Sequence, residues 1–504
     1  MKKFLLLFIA LSLNFNAKAT NYFVSNSGDD SNNTGLTTTS TFLTLQHAAN
    51  QVAAGDTVFV ADGIYAGFDL RSPSGTSANP IVFKAQGTNV LINQSGPIRD
   101  DGINIEGPDY IVIDGFIVNN MPGNGNGIRL VLSDFCVVRN TFCDNNAERG
   151  IFTGFTDDVL IEHNVCTNSI DEHGIYVSNS SDRPIIRYNE CYGNNGAGIH
   201  MNGDLSIGGD GIISDAKVYG NILHDNGGAA GINMDGLQSP IVYNNLIYNN
   251  HSSQGIAIFQ GDGAIVTNAA KIFNNTIIVP SDGRWGILVA NGGNVNTEIY
   301  NNIIINNHAW RGCIAVENTA QLTCDFNILN NKMSNVGDGS TITLAAWQAL
   351  GFDANSILVT GMGSLFVNSA TNDYQLLSTA VAIDAGTSLV SNVVVEDLNR
   401  LPRPNNLVYD IGAYEFAPVS LSIKAIEESQ LALYPNPSSG YIYLDYDPSQ
   451  FTVVSMELLD LNAKLIKTVH GANQINVMNI TSGIYLLKIK VDSDKIVLKK
   501  VVIK

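Results

Sequence analysis

Residues 174–203 read GIYVSNSSDRPIIRYNECYGNNGAGIHMNG. The decisive feature is that the Gly-Ile-x-apolar unit at Gly174 returns at Gly198, with Asn189 roughly half a period between them. Outward in both directions, the glycine landmark, or the residue in its place, falls at Gly102, Gly127, Gly150, Gly174, Gly198, Gly231, Gly255, Gly286 and Gly312. Successive spacings are 25, 23, 24, 24, 33, 24, 31 and 26 residues. The asparagine landmark falls at Asn140, Asn164, Asn189, Asn221, Asn245, Asn275, Asn302 and Asn327. Such a period is too short for helical-hairpin or propeller repeats, while the Ile and Val content and the Asn/Gly punctuation specify strands joined by tight turns. One coil of a parallel β-helix fits, and a stack of unrelated Asn-rich loops would not align eight asparagines.

Side chains alternate along a strand, so the residue after each glycine and the one two further on point inward, as Ile175 and Val177 or Ile232 and Met234 do. Asparagine tolerates left-handed backbone and can hydrogen-bond its own chain, which predicts an Asn ladder from coil to coil. Nine coils at a strand spacing of about 4.8 Å give a rod on the order of 40 Å from this segment alone. Upstream, TVFVADGIY and IVFKAQGTNVLI read as further strands. TFLTLQHAANQVAAGD reads as a short amphipathic helix with Phe42, Leu45, Ala49 and Val52 on one stripe, placed to plug the open N-terminal end.

The chain has 504 residues, 45% of them apolar, and a formal charge of −19. That supports one long domain over residues 20–416 and a smaller one after it. The acidic balance argues against a nucleic-acid partner, because phosphate binding needs a basic face. Residues 1–19, with Lys2, Lys3, an apolar run from Phe4 to Leu13 and the triplet Ala17-Lys18-Ala19, read as a cleaved secretory signal. No other segment is apolar and long enough to span a bilayer. Of six cysteines, Cys166 and Cys191 lie two residues after Asn164 and Asn189, the inward offset that Leu223 and Ile247 hold in later coils. Buried free thiols are therefore expected first, one disulfide between coils second, and metal ligation last, as no CxxC spacing occurs.

From residue 417 the composition changes. APVSLSIKAIEESQ (417–430) forms a linker, and the remaining segment, 431–504, alternates strands with Pro/Asn/Gly/Ser turns as a small β-sandwich would. Within LALYPNPSSGYIYLDY and ITSGIYLLKIK, the motifs Tyr434-Pro435-Asn436-Pro437 and Gly483-Ile484-Tyr485 resemble the C-terminal sorting domain of the type IX secretion system of Bacteroidetes. The resemblance implies interaction with that machinery, passage across the outer membrane, and release or attachment at the cell surface.

At the other end, YFVSNSGDDSNN (22–33), TFLTLQHAANQVAAGDTVFVADGIY (41–65) and the coils resemble right-handed parallel β-helix proteins of the pectate-lyase-like superfamily. That group includes alginate lyases, chondroitinase B and mannuronan epimerases. AIDAG (382–386) and DIGAYEF (410–416) are similar to the closing segment of many such secreted proteins. The resemblance is specific for the fold, an all-β single-stranded solenoid, and fold alone does not dictate chemistry.

If the residue after glycine points inward, the positions two and four after glycine point outward and stack into surface columns. The first column reads Asn104, Arg129, Phe152, Tyr176, His200, Asn233, Ala257 and Leu288. The second reads Glu106, Val131, Gly154, Ser178, Asn202, Asp235, Phe259 and Ala290, and the residue before glycine contributes Arg149 and His173. Polar, ionisable types converge between residues 149 and 235. The insertion DLSIGGDGIISDA (204–216) lengthens the next coil and is placed to wall a groove.

A groove on a rod suits a linear polymer. β-Elimination of a uronate needs a group to blunt the carboxylate, a base near the C5 proton and an acid for the leaving oxygen. On this register His200 is the expected base and Tyr176 the acid or its partner. Arg149 or Arg129, with Asn202 or Asn233, would steady the carboxylate, and Asp235 would orient His200. IDEHGIY (170–176) loosely resembles the Asp-Pro-His-Asp/Glu signature of the mannuronan epimerases with Glu172 in place of proline. The resemblance implies roles for Asp171 and His173. A hydrolase would need a carboxylate pair, for which Asp204, Asp210 and Asp235 are the candidates, and calcium is conceivable where those three approach. PSDGRWG (280–286) offers Arg284 and Trp285 to grip an anionic sugar.

The expectation is an exported, monomeric rod acting on an extracellular acidic polysaccharide, with lyase chemistry first. A glycoside hydrolase, a uronate epimerase or a non-catalytic glycan-binding or adhesive protein are the alternatives.

Overall fold

In the computed structural model the chain divides into two units, residues 1–416 and 417–504. Residues 19–504 are described apart from 291–294, 318–321, 335–340, 418–430, 448–451, 461–463 and 492–495, so the secretory signal (apart from Ala19) and the linker (apart from Ala417) lie outside the described residues.

The first unit is a right-handed parallel β-helix of about twelve coils. The coils contribute strands to three parallel sheets, two of twelve strands and one of ten. At about 4.8 Å per coil the rod is on the order of 55 Å long. The ten-stranded sheet runs from Phe68–Leu70 through Ile103–Glu106, Ile128–Val131, Ile151–Gly154, Ile175–Ser178, Ile199–Asn202, Ala230–Asp235 and Gln254–Phe259 to Ile287–Val289 and Ile314–Val316. Its register matches the glycine landmark: Ile128 pairs with Ile151, Ile151 with Ile175, Ile175 with Ile199 and Ile199 with Ile232. Ile175, Val177, Ile232 and Met234 are fully buried, as period-two alternation requires. In the last coil Ile287 pairs with Ile314, so Cys313 rather than Gly312 takes the landmark position.

Glycine stands at the landmark because the chain turns there against the next coil. A Cβ at Gly174 would lie 2.8 Å from the Gly198 carbonyl oxygen and 2.9 Å from Cys191 Cβ. The asparagine ladder also forms. Asn164 Nδ2 donates to Asn189 Oδ1 at 3.0 Å, and the same bond repeats through Asn221, Asn245, Asn275, Asn302 and Asn327 at 2.9–3.1 Å. Asn140 is the exception: Thr141 occupies the rung, its Oγ1 donating to Asn164 Oδ1 at 2.8 Å. The left-handed residue is the one before the rung, as at Asn140, His163, Tyr188, Asn244, Asn274 and Asn301. A second ladder, Asn194–Asn226–Asn250, runs beside it with 2.9 Å rungs.

Cys143, Cys166 and Cys191 stack in register with Leu223 and Ile247 in the interior, and all six cysteines are free and buried. The disulfide alternative is thereby excluded in this structure. The capping helix is one short segment, Leu45–Ala49, with Thr44 Oγ1 accepting from His47 N at the N-terminus, and with Phe42 and Val52 buried on either side.

After the coils, the chain turns back along the outside of the rod. Three of the left-handed asparagines hold this strap through their side-chain amides: Asn301 donates to the Thr387 carbonyl, Asn274 to Asp410 and Asn244 to Glu396. Arg403, buried with Glu415 at 2.7 Å, fastens the strap to itself. The second unit has a three-stranded and a four-stranded antiparallel sheet over a shared core that includes Ile442, Leu458, Leu487 and Val501.

Candidate functional site

The strand register places Asn104, Arg129, Phe152, Tyr176, His200 and Asn233 side by side on one face of the ten-stranded sheet. Tyr176 and His200 are half-buried, with ring centroids 4.8 Å apart and planes 28° from parallel. His173, on the turn before Gly174, meets both: its ring centroid lies 4.5 Å from His200 and 5.3 Å from Tyr176. Phe152 packs edge-on against Tyr176 at 5.6 Å.

The hydrogen bonds fix the protonation of the pair. Ala197 N donates to His173 Nδ1 at 2.8 Å, so the proton of neutral His173 sits on Nε2. That N–H donates to His200 Nδ1 at 2.7 Å, which leaves the His200 proton on Nε2. His200 Nε2 is buried and has no hydrogen-bond partner. Burial lowers His200 to about 4 and, together with His200 and Arg149, lowers His173 to about 2. Both rings are neutral at ordinary pH, and His200 presents a fixed N–H donor where a base was expected.

Asp235 does not orient His200. Its carboxylate accepts the backbone N–H groups of Gly261, Asp262 and Gly263 at 2.8, 2.8 and 3.3 Å and is 1% exposed. His173 holds the imidazole instead. Asn202, also buried, donates from Nδ2 to the Tyr176 oxygen at 3.2 Å and accepts from Asp204 N at 3.0 Å. Burial raises the Tyr176 phenol above its ordinary value. Position four after glycine therefore does not face open solvent: at Ser178, Asn202 and Asp235 it is covered. The insertion is tied to its neighbours, with Gly211 N donating to Ser180 Oγ at 2.8 Å and Leu205 N to the Asp262 carbonyl at 3.0 Å.

Arg149 stacks over the Tyr176 ring at 4.9 Å but is engaged by Glu172, from Nε at 2.8 Å, and by Glu148 at 3.2 Å. Sequence reasoning missed Glu148. The signal was present in the position two before glycine, which places Glu148 and Glu172 on adjacent coils. Arg129 likewise bonds Asn104 at 2.7 Å and meets Glu106 at 3.5 Å. The free cation expected beside His200 is thus absent among the described residues. Asn233 is buried next in the row, and Asp171 is exposed on the turn.

Three expectations fall outside the cluster. Asp204 caps its own loop, accepting from Ser206 N at 2.8 Å, and Asp210 does the same for Ile212 N at 3.0 Å. Among the described residues no three His, Cys, Asp or Glu side chains gather to hold a metal ion, so the calcium reading through Asp204, Asp210 and Asp235 fails, and the hydrolase carboxylate pair has no free member in Asp235. Trp285 is 5% exposed between Arg284 at 5.1 Å and Arg311 at 5.0 Å, so its faces are spent inside the protein. It also lies three coils beyond His200, roughly 14 Å along the axis.

The molecule is therefore a right-handed parallel β-helix with a polar aromatic cluster on one sheet face, followed by a second, all-β unit. Residues 432–504 match the family described as Secretion system C-terminal sorting domain, which directs the chain to the cell surface or beyond it, and residues 49–257 match Periplasmic copper-binding protein (NosD). No helix among the described residues is long and apolar enough to cross a membrane. The fold is similar to that of pectate lyase Pel9A, with TM-score 0.56 and 14% identity over 79% of this chain and 97% of that one. The A-module of Azotobacter vinelandii mannuronan C-5 epimerase AlgE6 aligns at TM-score 0.36 and 17% identity, over 67% of this chain and 87% of that one. In sequence, serine protease EspC of Escherichia coli O127:H6 is 24% identical over 229 residues, 42% of this chain and 17% of EspC. The chain thus spans about a sixth of the length of that relative.

Proposed function

We propose that this is a polysaccharide-active β-helix protein whose Tyr176–His200–His173 cluster cleaves a uronate-containing chain by β-elimination. The observation that carries the reading is the unpartnered His200 Nε2–H beside the Tyr176 phenol. A buried donor without a partner costs about 1–3 kcal/mol, a cost that a bound acceptor relieves. A sugar carboxylate is such an acceptor. In this scheme Tyr176 reacts as the phenolate, its own proton lost to solvent beforehand and the anion met by the Asn202 amide and the Arg149 charge. It takes the C5 proton, the C4–O bond breaks as the C4–C5 double bond forms, and the phenol returns that proton to the leaving glycosidic oxygen. His200 and the Asn233 amide steady the carboxylate as neutral donors, and His173 positions His200. Arg149 keeps Tyr176 in place through its stacking and stays paired with Glu148 and Glu172.

The epimerase alternative shares the proton abstraction and draws support from His173, the histidine of the IDEHG segment, entering the cluster. The copper binding in the name of the matched family finds no support in the residues here: within 49–257, His173 and His200 spend their facing nitrogens on each other.

The test is a panel of uronate polysaccharides, with and without chelator. The wild-type chain should release ultraviolet-absorbing unsaturated ends, and Tyr176→Phe should reduce the rate by about 100-fold or more. Reducing ends without that absorbance would indicate a hydrolase, altered uronate composition without shortening an epimerase, and unchanged binding without products an adhesin. Full activity in Tyr176→Phe would sink the assignment.

A further inference from the structure

We infer a second, anion-selective glycan-binding site on the side of the rod where the strap crosses the asparagine-ladder turns. A cavity of about 390 Å³ lies between the coils and the strap, lined by His163, Tyr188, Glu190, Leu398, Arg400 and Tyr414 among others. That volume falls within the range of small-ligand sites, about 300–1,000 Å³. None of its lining residues belongs to the Tyr176–His200 cluster.

Arg400 is the reason to expect an anion. Most arginines of the coils are neutralised by a carboxylate: Arg71 and Arg129 by Glu106, Arg139 by Asp114, Arg149 by Glu172, Arg183 by Asp158, Arg187 by Glu162. Arg400 is exposed and forms no ion pair among the described residues. Its guanidinium lies 4.1 Å from the Tyr188 ring centroid, and one nitrogen donates to His163 Nε2 at 2.7 Å. Glu190, the acid of the lining, meets His224 at 3.3 Å, and Glu396 accepts the Tyr188 hydroxyl at 2.5 Å.

Arg400 adopts φ +65°, a left-handed conformation that Arg183, Tyr188 and His163 also adopt in the turns of the coils. The guanidinium's remaining donors suit the planar, two-oxygen face of a carboxylate, or a sulfate, on a sugar ring. Tyr414 and Leu398 supply the apolar wall such a ring requires. The choice of a glycan as the carrier of that anion rests on the polysaccharide reading above; the anion preference rests on Arg400.

The experiment uses the full chain with three probes in parallel calorimetric titrations: an oligogalacturonide, a sulfated galactan oligosaccharide and a neutral xylo-oligosaccharide. Arg400→Asn tolerates the left-handed turn, and is expected to weaken the anionic probes by about tenfold or more, while Arg400→Lys, which keeps the charge and loses the two-oxygen geometry and the stacking on Tyr188, recovers only part of that affinity. The carboxylate and sulfate arms identify which anion the site takes. Equal binding by wild type and Arg400→Asn, or a variant whose only change is a lower thermal midpoint, overturns the proposal and leaves Arg400 a mechanical latch. Repeating the titration in Tyr176→Phe separates the two sites: Arg400-dependent binding persists there even if no cleavage of any polysaccharide is found.

Discussion

Replacing Asn221 by alanine tests the ladder that holds the coils in register. The Asn221 side chain is fully buried and works in both directions. Its Oδ1 accepts from Asn189 N at 3.0 Å and Asn189 Nδ2 at 3.1 Å, and its Nδ2 donates to the Ile186 carbonyl and to Asn245 Oδ1, each at 3.0 Å. Alanine orphans two donors of Asn189 in a site closed to water. At about 1–3 kcal/mol for each buried unsatisfied group, partly offset by local relaxation, the cost is roughly 2–4 kcal/mol. The control is Asn355→Ala, whose amide donates to Asp325 Oδ2 at the exposed surface, where a loss of about 0.5 kcal/mol is expected. Denaturant titration followed by circular dichroism reads the difference as a shift in midpoint, and amide hydrogen exchange should localise it to the coils at residues 189 and 245. An Asn221→Ala midpoint no lower than that of the surface control would refute the view that buried amide rungs, and not the apolar columns alone, fix the register.

The pH dependence follows from the histidine pair. Their folded values, about 4 for His200 and about 2 for His173, lie below the unfolded value near 6.5, so the unfolded chain takes up protons first. Stability is fully present above about pH 6.5 and is lost as pH falls toward 4 and below; product formation should likewise show no histidine titration between pH 5 and 7, and a bell centred there would contradict the neutral pair. Asp235→Asn should loosen the 261–263 loop, cutting about 2–3 kcal/mol through mispaired backbone N–H groups, and raise proteolysis there. If it instead altered the pH profile of turnover while leaving the loop protected, the carboxylate would be coupled to His200 after all.

The sequence alone determined the rod, its register and the row of residues on its working face. It did so because a β-helix repeats: once Gly174 and Gly198 are aligned, period-two alternation sends Ile175 inward and sets Tyr176 beside His200, whatever the turns do. The columns of cysteine and asparagine were legible for the same reason. Tertiary structure decided what each polar group does there. Asp235 in its column and Asp204 in the insertion looked like chemistry, yet nearby loop amides claim them, and those loops vary in length from coil to coil. Arg149 needed Glu148 and Glu172, Trp285 needed Arg311, and Arg400 needed the strap laid across Tyr188. The His200 proton depended on a single backbone N–H at Ala197. Periodicity carries the direction of a side chain, but its partners and its charge state are settled by contacts distant in sequence, which no repeat encodes.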